Sequence, residues 1–162
     1  LRGFEWYCLW QHMNRPVHSF DTDFCVSPAG HRLIRGADGG LAVGDDAGRV
    51  RHTLPGTRGP VPWTAVAFCG AGRRAAFGTP TGTGRPWDVR VYDLEDGTVV
   101  GRVQLPALSR LTLDRSGTLL AAAGGGRLTV WELPTGRERF TVAVPAPHAG
   151  LAFTADARTL WH

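Results

Sequence analysis

The chain contains no lysine; all 18 of its basic residues are arginine. That absence removes the phosphate-binding lysine of a P-loop, a complete kinase site and any Schiff-base chemistry. Cysteine is scarce as well. Cys8, Cys25 and Cys69 are odd in number, far apart and set among apolar residues. This pattern points away from a disulfide framework and towards reduced thiols in a cytosolic-type compartment, so the expected localisation is cytoplasmic. No apolar run approaches the ~20 residues that a membrane-spanning helix needs. No basic segment leading into an apolar one opens the chain, which starts at Leu1 rather than Met and so leaves room for a missing leader. Only four serines are present, and none lies in a Gly-x-Ser-x-Gly elbow.

What the chain does contain is turn residues and short apolar runs. Its 22 glycines and 11 prolines are spread over the full length, and 43% of its 162 residues are hydrophobic. Many short strands joined by tight turns, and hence an all-β fold, follow from that distribution. The clearest stretch is Ala107 to Val144, with strand-like runs at Arg110 to Leu113, Leu119 to Ala123, Leu128 to Leu133 and Glu138 to Val144. Arg115 to Thr118, Gly124 to Gly126 and Pro134 to Gly136 separate these runs and reverse the chain between them. The net charge is +4, and the arginines fall one or two to a turn instead of forming a stripe. Solvated loop ends explain that spacing better than a nucleic-acid footprint.

The same order of strand and turn recurs along the chain. Leu1 to Met13 reads as a short helix that is apolar around much of its girth, ended by Pro16, so residues 1–16 form a helical linker and 17–162 the repeats. Cys8, His12 and His18 lack a fourth ligand at suitable spacing, so no metal is expected there. In the first repeat the strands are Asp21 to Val26, Leu33 to Ala37, Leu41 to Gly44 and Arg49 to Leu54. In the second they are Ala65 to Cys69, Arg74 to Gly78, Val89 to Leu94 and Val99 to Leu105, with a long middle connection from Thr79 to Trp87. A partial fourth repeat covers Gly150 to Thr154 and ends at Trp161. The turn residues Gly30, Gly72, Gly117 and Ala157 follow one another at 42, 45 and 40 residues. A period of about 40 to 45 residues with four strands per unit is the spacing of a propeller blade.

At this point the chain resembles the WD-repeat β-propellers. The family's first-strand signature appears in Cys25-Val26-Ser27-Pro28-Ala29-Gly30-His31-Arg32-Leu33 and, more weakly, around Phe68, Leu113 and Phe153. The third-strand signature appears in Val130-Trp131-Glu132-Leu133-Pro134-Thr135-Gly136 and Val91-Tyr92-Asp93-Leu94-Glu95-Asp96-Gly97, while Gly44-Asp45 stands at that place in the first repeat. The family's Gly-His dipeptide is missing from every copy, and its buried aspartate has counterparts only at Asp38 and Asp88. The resemblance implies blades at about 19–58, 64–105 and 107–144 and a partial one at 148–162, an incomplete ring of about three and a half blades. It assigns Val26, Asp38, Phe68, Asp88, Tyr92, Leu113, Trp131 and Phe153 to blade packing. The opening LRGFEWYCLW is similar to a linker ahead of WD repeats in large bacterial multidomain proteins, some with a Ser/Thr kinase domain.

Catalytic readings find little support in the residues. Gly70-x-Gly72-x-x-Ala75 follows an apolar strand as a dinucleotide fingerprint does, but Gly78, Pro80, Gly82, Gly84 and Pro86 forbid the helix that such a site requires. The pairs Asp21 with Asp23 and Asp45 with Asp46 fit solvated turns. The expectation is a noncatalytic, cofactor-free scaffold that binds a protein or peptide partner. Trp63, Arg85 and Trp87 are its candidate contacts, because aromatic and guanidinium groups dominate interface energies. The competing role for Trp63 and Trp87 is to seal blade edges. Two other classes stand beside this one: part of a quinoprotein-like propeller enzyme, on the strength of Asp93 to Gly97 and Glu132 to Gly136, and arginine-mediated nucleic-acid binding. Three and a half blades fall short of the four usual for a closed ring, so the chain is expected to be a fragment or to pair with a further segment.

Overall fold

The computed structural model describes residues 24–35, 40–45, 49–57, 65–82, 86–145 and 150–161. The expected helix over residues 1–16 lies outside them, as do Asp38, Trp63 and Arg85. Over the described residues the regular structure is β-strand. The first sheet holds β1 (Phe24–Val26), β2 (Arg32–Arg35), β3 (Leu41–Gly44) and β4 (Val50–Leu54). The second holds β5 (Val66–Phe68), β6 (Arg74–Pro80), β7 (Trp87–Asp93) and β8 (Val99–Leu105). The third holds β9 (Arg110–Leu113), β10 (Leu119–Gly124), β11 (Arg127–Glu132) and β12 (Arg137–Ala143). A two-stranded sheet of β13 (Ala152–Phe153) and β14 (Leu160–Trp161) follows. Within each sheet every strand pairs antiparallel with its neighbour in sequence, so each sheet is a plain meander.

One turn is built the same way in all four sheets. Gly30, Gly72, Gly117 and Ala157 take positive φ angles of 86°, 72°, 75° and 56°. Each donates its N–H to the carbonyl three residues earlier, on Ser27, Cys69, Asp114 and Thr154, at 2.8 to 3.1 Å. The side chain of that earlier residue then accepts the backbone N–H at the start of the next strand. Ser27 Oγ accepts from His31 at 3.1 Å, Cys69 Sγ from Arg74 at 3.2 Å, Asp114 Oδ1 from Leu119 at 2.7 Å and Thr154 Oγ1 from Thr159 at 3.0 Å. Four different residue types thus satisfy the equivalent donor, in part-buried bonds in the first three sheets and an exposed one in the fourth.

A second shared feature lies on the other side of each sheet. Pairing slips by one residue between Val43 and Gly44, between Val91 and Tyr92, and between Val130 and Trp131. The extra residues are Arg51, Val100 and Arg139, each on the fourth strand. Such bulges increase local twist, and their recurrence at one register gives the three sheets a common shape.

Period-two alternation gives the second and third sheets two apolar faces, and both are used for stacking. Leu33, Leu41, Val43 and Leu54 of the first sheet pack on Ala75, Phe77 and Tyr92 of the second. Ala76, Val89, Val91 and Val103 on the reverse face meet Leu111, Leu113, Leu120 and Trp131 of the third. Leu128, Val130 and Val144 on its far side are covered in part by Phe153 and Leu160. Each leucine, valine or phenylalanine among them contributes on the order of 1.5–3 kcal/mol by leaving water.

The connection expected over Thr79 to Trp87 is shortened by strand at both ends, at Thr79 and Pro80 and at Trp87. β6 and β7 extend until Pro80 faces Trp87. Proline is tolerated at this strand end, and Thr81 closes the loop by donating its N–H and its hydroxyl to the Pro86 carbonyl at 3.2 and 2.6 Å. Among the described residues no helix is long and apolar enough to cross a membrane.

Candidate partner-binding surface

Of the three candidate contacts, Trp87 is the one within the described residues; Trp63 and Arg85 lie outside them. Trp87 opens β7, faces Pro80 and Leu105 across the ladder, and is half-buried against the core between the second and third sheets. Its ring is seated over Gly78: a β-carbon there would lie 3.4 Å from Trp87 Cε3 and 2.2 Å from Leu108 Cδ2. Glycine at position 78 therefore makes the space in which the indole and Leu108 meet.

The opposite face of β7 carries a polar network. Asp88 is 3% exposed, and its two oxygens are held by two guanidiniums: Oδ1 by Arg102 Nε at 2.6 Å, and Oδ2 by Arg90 Nε and Nη2 at 2.8 Å each. The arrangement follows from the ladder, since Arg90 is two residues along the same face and Arg102 stands opposite Arg90 on β8. Arg90 Nη1 also donates to the Pro55 carbonyl of the first sheet at 3.0 Å, and the Tyr92 hydroxyl donates to the same oxygen at 2.6 Å. Burial alone would lower the Arg90 pKa, but the Asp88 charge and hydrogen bond leave it above its usual value. Burial raises the Tyr92 pKa, against an opposing contribution from Arg90. Both Asp88 oxygens are occupied, so its role here is to hold two arginines and, through Arg90, to fasten neighbouring sheets.

Neither a family model nor a curated protein matches the sequence.

The residues assigned to blade packing take one consistent position. Phe68, Leu113 and Phe153 each precede the shared turn and pack towards the preceding sheet, as do Tyr92 and Trp131 at the bulge. Tyr92 also stands edge-on to Phe77, with ring centres 5.6 Å apart. Val26 holds the same place as Phe68 but is 49% exposed, because no described sheet lies in front of it. At the other end, a cavity of about 490 Å³ opens between β12 and the β13–β14 hairpin, lined by Val130, Arg139, Phe140, Phe153, Arg158 and Leu160. Phe140 and Val142 are 49% and 46% exposed beside it. Sequence reasoning singled out neither residue. Their apolar alternation with Val144 was visible, but whether another strand covers them depends on how many strands the next sheet has.

Proposed function

We propose that the chain is a stacked-blade portion of a WD-repeat-type β-propeller and works as a noncatalytic scaffold for a protein or peptide partner. The recurring bulge carries this reading. Gly44, Tyr92 and Trp131 mark the same register in three successive meanders, and Tyr92 and Trp131 each face the preceding sheet. A stack in which every unit presents the same face to its predecessor is the arrangement from which a radial ring is made. The open faces at Val26 and at Phe140 are those that closing strands would cover. Rigid sheets hold their connecting loops in fixed positions, so that loop and rim side chains bind without a large ordering cost.

Trp87, with Arg85 and Trp63, is the proposed contact set. The test is alanine substitution of Arg85 and of Trp87, with partner capture by the immobilised chain as the readout. A loss of roughly tenfold or more in affinity is expected for an interface anchor. Unchanged capture by both variants, with the melting transition intact, would remove these residues from the interface.

A further inference from the structure

The two interfaces made by the second sheet share one register but are filled differently. Tyr92, Arg90 and Asp88 on β7, with Arg102 on β8, lie on the face turned to the first sheet. Trp131, Thr129, Arg127 and Thr141 hold the equivalent places in the third sheet, on the face turned to the second. Leu54 and Val103 both pair with the residue two before the slip, Leu41 and Val89, so Gln104 stands where Pro55 does. Between the first and second sheets the space is taken from within. Arg90 and Arg102 clasp Asp88, Arg90 Nη1 reaches the Pro55 carbonyl, and a β-carbon on Gly56 would overlap that nitrogen. Between the second and third sheets threonines replace both arginines and an arginine replaces the aspartate. A cavity of about 320 Å³ remains there, lined by Gln104, Leu105, Arg127, Thr129, Thr141 and Glu138. Both of its walls come from described sheets of this chain.

The lining presents acceptors. Thr141 donates its hydroxyl to Glu138 Oε1 at 2.8 Å, and its oxygen lies 2.7 Å from that of Thr129. A hydroxyl has one proton, so Thr129 must be the donor to Thr141. Thr129 Oγ1 is then left with lone pairs alone, beside the carboxylate of Glu138. Arg127 lies four residues along β11 from Trp131, the ladder partner of Glu138. Neither Glu138 nor Arg127 forms an ion pair among the described residues.

We propose that this groove takes the arginine side chain of an extended partner peptide, with an acidic residue of the same peptide on Arg127. The inference rests on the scaffold reading above and names the chemistry of its partner. A guanidinium has five donors and no acceptor, and it meets a carboxylate through two parallel bonds, which suits Glu138 beside Thr129. Lysine offers a point charge without that fork. Arg90 is the internal precedent, since its guanidinium occupies the equivalent space one interface earlier. The exchange of Asp88 for Arg127 reverses the sign of the second charge that fits. Leu105 lines the groove and pairs with Trp87, so the site adjoins a residue of the proposed contact set.

The probe is the tripeptide acetyl-Arg-Val-Asp-amide, which carries the side chains of Asp88-Val89-Arg90 in reverse order. It is titrated into the whole chain while the amide resonances of Thr129 and Thr141 and the Trp131 indole are followed. Saturable shifts with a Kd of about 1 mM or tighter are expected. Citrulline in place of the arginine keeps the shape and removes the charge, and should weaken binding roughly tenfold, as should Glu138→Gln. Glu132→Gln alters the neighbouring carboxylate on the opposite face of the sheet and should leave affinity unchanged. Thr129→Arg puts an arginine where Arg90 stands in the second sheet and should block the probe. Arg127→Gln should weaken the probe several-fold without affecting its Asn analogue. Binding weaker than about 1 mM, equal affinity for the citrulline peptide, or unchanged affinity in Glu138→Gln would overturn the inference, and an equal effect of Arg127→Gln on both peptides would overturn the acidic pairing. None of these readings uses Arg85 or Trp87 variants, so the groove and the contact set fail separately.

Discussion

The Cys69 thiol and the Asp114 carboxylate do the same work in successive sheets: each accepts the backbone N–H that opens the second strand, from Arg74 at 3.2 Å and from Leu119 at 2.7 Å. Both residues are buried, at 0% and 3% exposure, and the bonds they accept are part-buried, so water replaces a lost acceptor only in part. Asp114→Ala is expected to lower stability by about 1–3 kcal/mol in urea melts, and Cys69→Ala by a comparable amount. Cys69→Ser keeps an oxygen at the position that Ser27 already fills and should stay within about 1 kcal/mol. A Cys69→Ser loss as large as that of Cys69→Ala would show that packing, not acceptance, is what the sulfur provides.

Gly30 and Gly72 separate backbone strain from steric conflict. Both have positive φ, but a β-carbon at Gly30 meets nothing within 4 Å, while one at Gly72 would lie 2.2 Å from the backbone nitrogen of Ala29. Ala157 holds the same turn at φ 56°, so the turn itself admits alanine. Gly30→Ala should cost about 1–2 kcal/mol. Gly72→Ala should cost more than that by about 1–3 kcal/mol, because the turns of the first and second sheets must separate. Chemical denaturation of the two variants gives the difference directly.

Asp88→Asn tests the tie between sheets. Removing one member of a buried ion pair typically costs about 3–5 kcal/mol. Arg102 is 55% exposed, so water screens part of the loss, and about 1–3 kcal/mol is expected here. Glu132→Gln breaks a pair with Arg137 in which both side chains are exposed, at 39% and 72%. It should change stability by no more than about 0.5 kcal/mol. Thermal melts of the two variants side by side check the ranking.

Tyr92 predicts an alkaline limit. Its pKa in the folded chain lies above the usual 10, first because of burial, so the unfolded chain releases the phenolic proton at lower pH than the folded one does. The stability this contributes is full below pH ~10 and is lost as pH rises through the folded-state pKa. No lysine titrates in the same range. Tyr92→Phe should flatten the fall in melting temperature above pH ~10, and phenolate absorbance of the parent chain should rise together with unfolding. An unchanged fall would place the alkaline sensitivity elsewhere.

The strand order and the spacing of turns could be read from residues because both depend on local rules. Val99–Leu105 and Arg110–Leu113 alternate apolar with other residues, Leu41–Gly44 is a short apolar run after glycines, and all three form strands with those bounds. The segment from Thr79 to Trp87 misled because glycine and proline mark a loop, whereas the ladder continues through Pro80 once Trp87 pairs with it. Arg90 beside Asp88 follows from period two alone, but Arg102 requires the register of β8, which the bulge at Val100 shifts. Exposure at Phe140 and Val142 was beyond reach for a different reason. Their strand has the same pattern as β8, and only the strand count of the next sheet distinguishes them.

Because β8 and β9 belong to different sheets, the peptide bond between Leu105 and Pro106 can be cut without separating any hydrogen-bonded ladder among the described residues. Two polypeptides, 1–105 and 106–162, would then be held chiefly by the side chains that the second and third sheets press together. Their reassembly after separate synthesis would make the chain a fragment-complementation pair, whose association constant reports the strength of a single interface within the stack.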